Sequence, residues 1–576
     1  MPRIKLRKAY PVTTIALIPI EKIKDRFFSI LASKSSIPDS LLAFVDEGIA
    51  LGWANEYEGV IPFKLTLCRV AVAVVRKQNM PINHLVTTST DVLRIMASLS
   101  DGDIELIKKI KFKSFPRKTR RILVSALEKV ISTSDIKRYP DLWKRAFHSL
   151  HIGEYGGRAA SIASKFRNTN NVHTPETAIA EALKGGVIHT AVEGLVRQPS
   201  VFGRTLDKLL RDCQNESDFD YVLGAFSRVV SSVETKVLIQ LLGHFQGRLD
   251  DSVTTRLVFT KGSKPKILEA PKLPAINHIY ATKLLQLITS ALESSFKERA
   301  LLACYEVYIS RDVHNVVVPL QLASANNNKR TVARGSRITL EDDDKPILRL
   351  FIHWIGYDID LSAVLLSGDL KREKVINFSN LRAGDFAVHS GDITRAPGPE
   401  GASEFIDIDM EKAMNAGFRY VVLDVRVYTS LGGLVFSSLE QCFAGFMLRE
   451  SLEAGEIFEP TTVRAKFDLT SDTRAVNPCL FDMETKEVVW MDVTTLHVSD
   501  HGNSVSHNVQ AVSKVVQSCL EMYKTKVTIP QLIKLHADAS NAVITTNRLH
   551  ANFTVGFGPE FDLDVNDFAD INSRWV

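Results

Sequence analysis

The sequence predicts an α+β multidomain protein: an all-α, solenoid-like helical region in the first half, then a β-sandwich, then C-terminal helices. Three observations carry this. Apolar residues recur three and four apart through much of the first half. From about residue 315 the period changes to two, in β-branched and aromatic runs. Near the end the helical spacing returns.

The 576 residues allow several structural units. The expected division is 1–80, a mixed helix and strand segment; 81–255, helical; 256–310, a linker and connecting helix; 311–500, the sandwich; and 501–576, helices and tail. The basic start leads into 12–20, an apolar stretch broken by Thr13, Thr14 and Pro19 and followed by charged residues, Glu21 to Asp25. It reads as a strand or turn, not an export signal. Ile122, Leu123, Ala126, Leu127, Val130 and Ile131 form a helical stripe. Further helices are expected over 142–150, 177–184, 187–196, 201–213 and 222–242, with 177–184 opened by Thr174, Pro175 and Glu176. Turn chemistry at 168–171 and 197–200 keeps the connections short. Residues 257–274 read as a strand and then an exposed linker, before a helix marked by Leu284, Leu285, Ile288, Ala291 and Leu292.

Strands are expected over 348–354, 361–366, 386–389, 405–408, 420–428, 443–448, 463–469 and 488–493. They follow one another without long helices between them, which argues a sandwich. The acidic run 341–344 reads as a solvated hairpin turn between Ile338–Leu340 and the strand at Leu348. Helices close the chain at 509–522 and 531–539, the second with Thr528 as N-cap and Pro530 in its first turn.

Composition excludes several classes. Hydrophobic residues are 45% and charged residues 24%, with 30 Gly and 21 Pro, so the chain is neither collagen-like nor largely disordered. No run of 18 apolar residues occurs, so no spanning helix is expected. The six cysteines lie far apart, which fits reduced thiols in a cytoplasmic protein and no zinc finger. The net charge of +5 is mild. Locally, however, residues 101–150 hold 13 Lys/Arg against 6 Asp/Glu, concentrated at 108–121. That stretch supports an alternative reading, an RNA- or nucleic-acid-binding module; the bland reading is a solvated basic face.

Catalytic motifs are missing. His389, Ser390 and Asp392 are neighbours in sequence, whereas a triad draws on separated elements, and no G-x-S-x-G elbow is present. Gly262-Ser263-Lys264 is not a P-loop. His148 and His151 stand near Glu154 without an H-E-x-x-H, and Gly153 is expected to end that helix. Trp143 and Trp354 read as core aromatics. No enzymatic activity is expected.

Phe351–Trp354, Asp358-Ile359-Asp360-Leu361-Ser362, Val388-His389-Ser390-Gly391-Asp392 and the stretch from Gly401 to Asp409 together resemble the TerD domain of bacterial tellurium-resistance and stress-response proteins. Landmarks such as Thr90-Asp91-Val92-Leu93-Arg94, Leu150-His151-Ile152-Gly153-Glu154-Tyr155, Phe259-Thr260-Lys261-Gly262 and Phe443-Ala444-Gly445-Phe446-Met447 extend the likeness over about residues 85–540. They resemble multidomain members in which a helical region is fused to a C-terminal TerD-like domain, often behind a RING-like zinc finger. This chain has no finger cysteines. The resemblance implies a cytoplasmic protein-binding scaffold in a stress-response or tellurite-resistance system, with other proteins of that system as partners and no membrane insertion. It also implies calcium, for which Asp358, Asp360, Asp392 and Glu404 are the matching metal ligands.

Calcium takes about six to eight oxygens at about 2.3–2.6 Å, and loops at one end of a sandwich can gather them from distant positions. Alternation puts Asp407 and Asp409 on the face opposite Glu404 unless a bulge intervenes. Ala402 and Ser403 stand where the family often has aspartates, which lowers ligand charge. In the competing reading Asp392 and Glu404 only cap turns and hold loop backbone.

Overall fold

The structure is a computed structural model. It describes residues 19–33, 37, 39–107, 109–168, 174–259, 267–271, 273–303, 305–320, 332–340, 345–428, 434–451, 463–495 and 509–576. The basic start, the turn at 169–171, Lys108, Gly262 to Lys264, and the acidic run 341–344 lie outside them.

Among the described residues of the first 80, where helix and strand were expected together, the elements are helices alone. Their apolar faces join a core running from Phe27 to Phe166 that includes Trp143 and Phe147. The helix Arg117–Val130 buries Ile122, Leu123, Ala126 and Leu127, the predicted stripe. Pro140–Leu150 ends at the expected residue, although Gly153 is not its cap. His151, at φ 51°, is its left-handed cap, so the chain turns two residues before Gly153.

A second helical block follows: Pro175–Lys184, Ile188–Leu195, Pro199–Asp212, Glu216–Ser227, Thr235–Leu249 and His278–Arg299. Thr174 caps the first through a reciprocal bond pair with Thr177. The single helix expected over 222–242 is broken between Ser227 and Thr235, where Val230–Ser232 forms one tight turn. Serines and β-branched valines favour that break, and burying Val230 and Val233 fixes it. This block does not share the first core. Phe202, Leu284, Trp354, Trp490 and Trp575 belong to one continuous core that runs through the sandwich to the end of the chain. The expected linker contains a hairpin, with β1 (Thr255–Phe259) antiparallel to β2 (Ile267–Pro271).

After β3 (Glu306–Ile309) the sandwich begins. Its strands are β4 (Arg337–Thr339), β5 (Ile347–Ile355), β6 (Ile359–Leu366), β7 (Glu373–Ile376), β8 (Arg382–Ala383), β9 (Ala387–His389) and β10 (Ala402–Asp409). Then come β11 (Tyr420–Val427), β12 (Gln441–Arg449), β13 (Val463–Asp468), β14 (Ala475–Asp482) and β15 (Glu487–Thr495). One sheet has the order β13-β12-β5-β10-β9-β8 and the other β4-β15-β14-β11-β6-β7. The strands β4 and β5 therefore lie in different sheets and do not pair with each other as a hairpin would require.

The strand β14 went unread because Pro478 sits in it. Pro478 cannot donate to a ladder, yet β14 is central. Register shifts on both sides, between Asn477 and Cys479 and between Val422 and Val425, accommodate it. The helix Val509–Met522 covers the outer face of the second sheet, packing Val512, Val516 and Cys519 on Val364, Leu366 and Met491. Ile529–Ser540 follows, capped by Thr528 as predicted, with Gln531 returning the bond. Beyond it β16 (Val543–Thr545), β17 (Phe553–Gly556) and β18 (Leu563–Asp564) build a parallel sheet with β3, in the order β16-β3-β17-β18. No described helix is long and apolar enough to cross a membrane.

Candidate metal centre

The step from β5 to β6 carries the chain from one sheet to the other. Gly356, at φ 127°, makes the turn possible. Asp358 lies in the turn and Asp360 is the second residue of β6. On the other sheet, the chain leaves β9 through Gly391, at φ 117°, and reaches Asp392. Asp358, Asp360 and Asp392 thus meet at one rim, with one carboxylate oxygen from each inside 4.8 Å of the others. Asp358 and Asp360 are half-buried and Asp392 is exposed.

The electrostatics follow from this crowding. Burial, then the Asp392 charge, pushes the Asp358 carboxyl up to about 6. Burial, then Asp358, Asp392 and Asp424, pushes Asp360 up to about 7. Arg426 lies across from Asp360 in register. Its guanidinium is engaged by Asp424, through bonds of 2.7 and 3.0 Å, so it offsets the rim only in part. Asn477 donates to Asp424 at 2.9 Å and completes a buried polar row on this face.

Glu404 lies behind the three aspartates. Its position in β10 turns its side chain inward, between the sheets, with 1% of the residue exposed. One oxygen accepts the N–H of Leu361 at 3.2 Å and the other that of Ile393 at 2.8 Å. These are the residues next to Asp360 and next to Asp392. Glu404 therefore braces both aspartates through their backbones and stands outside the 4.8 Å group. Burial pushes its carboxyl up to about 8, against the pull of those two N–H groups.

His389 does similar work. Its Nδ1 accepts the Gly391 N–H at 3.0 Å, so in the neutral ring the proton is on Nε2, which donates to the Leu361 carbonyl at 3.2 Å. Burial holds it below the usual histidine range. Asp407 faces away, as alternation requires, and forms a two-bond pair with Arg349 at 2.6 Å each. Asp409 caps the helix Met410–Asn415.

The residues present suit a hard divalent cation. The donor set is all oxygen. Asp358 Oδ1 is buried without a hydrogen-bond donor among the described residues, an acceptor left open at the site. Sequence reasoning missed the Asp424, Arg426 and Asn477 row. Its signal was two charges two apart in an otherwise apolar strand, Tyr420–Val427.

Trp143 and Trp354 are fully buried. His151 Nδ1 and Glu154 are 3.0 Å apart at the surface. In the basic stretch Lys113 pairs with Asp101 and Arg120 with Glu154, while Lys109, Lys111, Arg117, Lys118 and Arg121 are exposed.

No family model matches the chain, and no curated protein matches it. Among solved structures it is similar to a protein of unknown function, at 16% identity, covering 26% of this chain and 92% of that one, with a TM-score of 0.21. It is also similar to a homologue of telluride resistance protein (TerD) from Streptomyces coelicolor A3(2), at 9% identity, covering 29% and 98%, with a TM-score of 0.23. Likeness of this degree leaves the site to be argued from its own geometry.

Proposed function

We propose that the chain is a binding protein, not an enzyme, whose β-sandwich takes one divalent cation, calcium by preference, at the rim formed by Asp358, Asp360 and Asp392. The observation that carries this is the meeting of three carboxylates from two sheets inside 4.8 Å, with Asp358 Oδ1 unpartnered. Asp358 and Asp360 belong to one sheet edge and Asp392 to the other, so an ion held there would tie the sheets together. The same loops would be ordered by it and could offer a calcium-dependent surface. Irregular loops suit calcium, with its flexible coordination, better than magnesium, which demands an octahedron.

A binding role is also favoured by how the reactive side chains are used. Both ring nitrogens of His389 are taken by backbone. Burial pushes the thiols of Cys68, Cys213 and Cys519 up to about 12. The helical half would supply the partner-binding surface. The resemblance to TerD domains points to a cytoplasmic stress-response or tellurite-resistance setting.

Calorimetric titration of the whole chain with calcium chloride and with magnesium chloride tests the reading. One calcium should bind and raise the melting temperature, and Asp392→Ala should remove both effects. No heat and no shift at millimolar calcium would reject it. The second reading, nucleic-acid binding, draws on the exposed cations Lys109, Lys111, Arg117, Lys118 and Arg121. A flat gel-shift titration at low salt would eliminate it.

A further inference from the structure

A cavity of about 320 Å³ opens where the helix Thr235–Leu249, the extended chain at 317–320 and the turn at 525–527 meet. Ile239, Val317, Val318 and Val527 give it an apolar wall. Its charged lining residues are Arg334 and Lys526, and it has no carboxylate in its lining.

The two cations are used differently. Arg334 donates to Asp492 Oδ2 at 3.0 Å and to the carbonyls of Met491 and Asp492. Lys526 Nζ donates to the Arg334 carbonyl at 2.9 Å and to Met522 Sδ at 3.2 Å. No carboxylate lies within ion-pair distance of it among the described residues. An ammonium has three protons to give, so one is left over. Lys526 is half-buried, and even a partly desolvated charge without a counter-charge is costly, so a neighbouring cavity is the place to find one. Burial, then Arg334, pulls the Lys526 ammonium down to about 8, consistent with that missing partner.

The helix Thr235–Leu249 packs closely on this stretch. At Gly243 an added Cβ would lie 2.6 Å from Lys526 Cα, and at Gly247 it would lie 2.7 Å from Thr525 Cγ2. The helix lies directly on the chain that carries Lys526 and holds it at the cavity wall.

We propose that this cavity binds a small organic carboxylate, with the anionic end on Lys526 and the apolar body against Ile239 and the three valines. One ammonium beside hydrocarbon matches a monoanion with an apolar body better than a phosphate, which favours several converging donors. The cavity lies at the small end of ligand pockets, which limits the ligand to a compact acid.

The test is thermal melting of the whole chain in chelator, with hexanoate, benzoate or the uncharged hexanol at equal millimolar concentrations. Either acid should raise the melting temperature saturably by about 2 °C or more, and hexanol should not. The Lys526→Met variant should melt at or above the wild-type temperature without ligand and lose the response to acid. Ala333→Leu, which narrows the cavity and keeps Lys526, should weaken that response and keeps the test decisive if Lys526→Met does not fold. No shift with either acid, an equal shift with hexanol, or an undiminished shift in Lys526→Met would each overturn the proposal.

Discussion

Replacing Asp360 with asparagine should stabilise the protein in chelator at pH 8. In the folded chain the carboxyl stands at about 7 against an ordinary 3.8. At about 1.4 kcal/mol per unit, ionising it in place costs on the order of 4 kcal/mol. Burial is the largest part of this cost, and repulsion from Asp358, Asp392 and Asp424 adds to it. Asp392 is exposed and its share is screened, so a gain of about 2–3 kcal/mol is expected, or roughly 2–4 °C in melting temperature for a unit of this size. The direction with pH follows from the raised value. The folded state holds this proton more tightly than the unfolded state, so the penalty is absent below about pH 4, grows between 4 and 7, and is complete above 7. Urea denaturation of both proteins in chelator at pH 8 and pH 5 measures this. The variant should lead clearly at pH 8, by less than half as much at pH 5, and should show no response to calcium. A variant less stable than wild type at pH 8, or a lead that ignores pH, would refute the electrostatic account of the rim.

Glu404→Ala leaves the N–H groups of Leu361 and Ile393 without their acceptor and should cost about 2–4 kcal/mol by denaturation, with calcium affinity falling as both aspartates lose their brace. Gly243→Ala should destabilise by about 1–3 kcal/mol in the same assay, despite alanine's better helix propensity, because its Cβ meets backbone at Lys526 and Val527. Asp207 bonds Arg211 and His244, at 2.7 and 2.8 Å, and these partners hold its carboxyl at about 2 against burial. Asp207→Asn should therefore cost about 2 kcal/mol at pH 7, a loss that fades as pH falls from about 4 towards 2. Thr528→Ala removes the cap bonded to Gln531 and should cost about 1 kcal/mol, read by thermal melting.

Much of this molecule is legible from local patterns. Most of the sandwich strands between Ile347 and Thr495 announce themselves as short β-branched and aromatic runs bounded by turn residues, and the central ones are buried on both faces. The helices at 117–130, 175–184 and 529–540 announce themselves by stripe and cap. Where a pattern was broken the reading failed for a physical reason. Pro478 hid a central strand that a bulge makes tolerable, and short strands such as Val543–Thr545 bury too little to show a period. Helical spacing also ran through 222–242, although the chain breaks there to bury two valines.

The rim divides in the same way. The resemblance to TerD domains, carried by short local motifs, marked Asp358, Asp360, Asp392 and Glu404 as candidates. Only the tertiary structure brought the first three together, since that depends on β5 and β6 lying in different sheets. It also set Glu404 behind them, through its place in the alternation of β10 and the two N–H groups it meets there. Lys526 left no mark in the sequence at all. Its position depends on a helix nearly three hundred residues earlier whose Gly243 and Gly247 admit the chain at close range, and packing between distant segments is not encoded in local spacing.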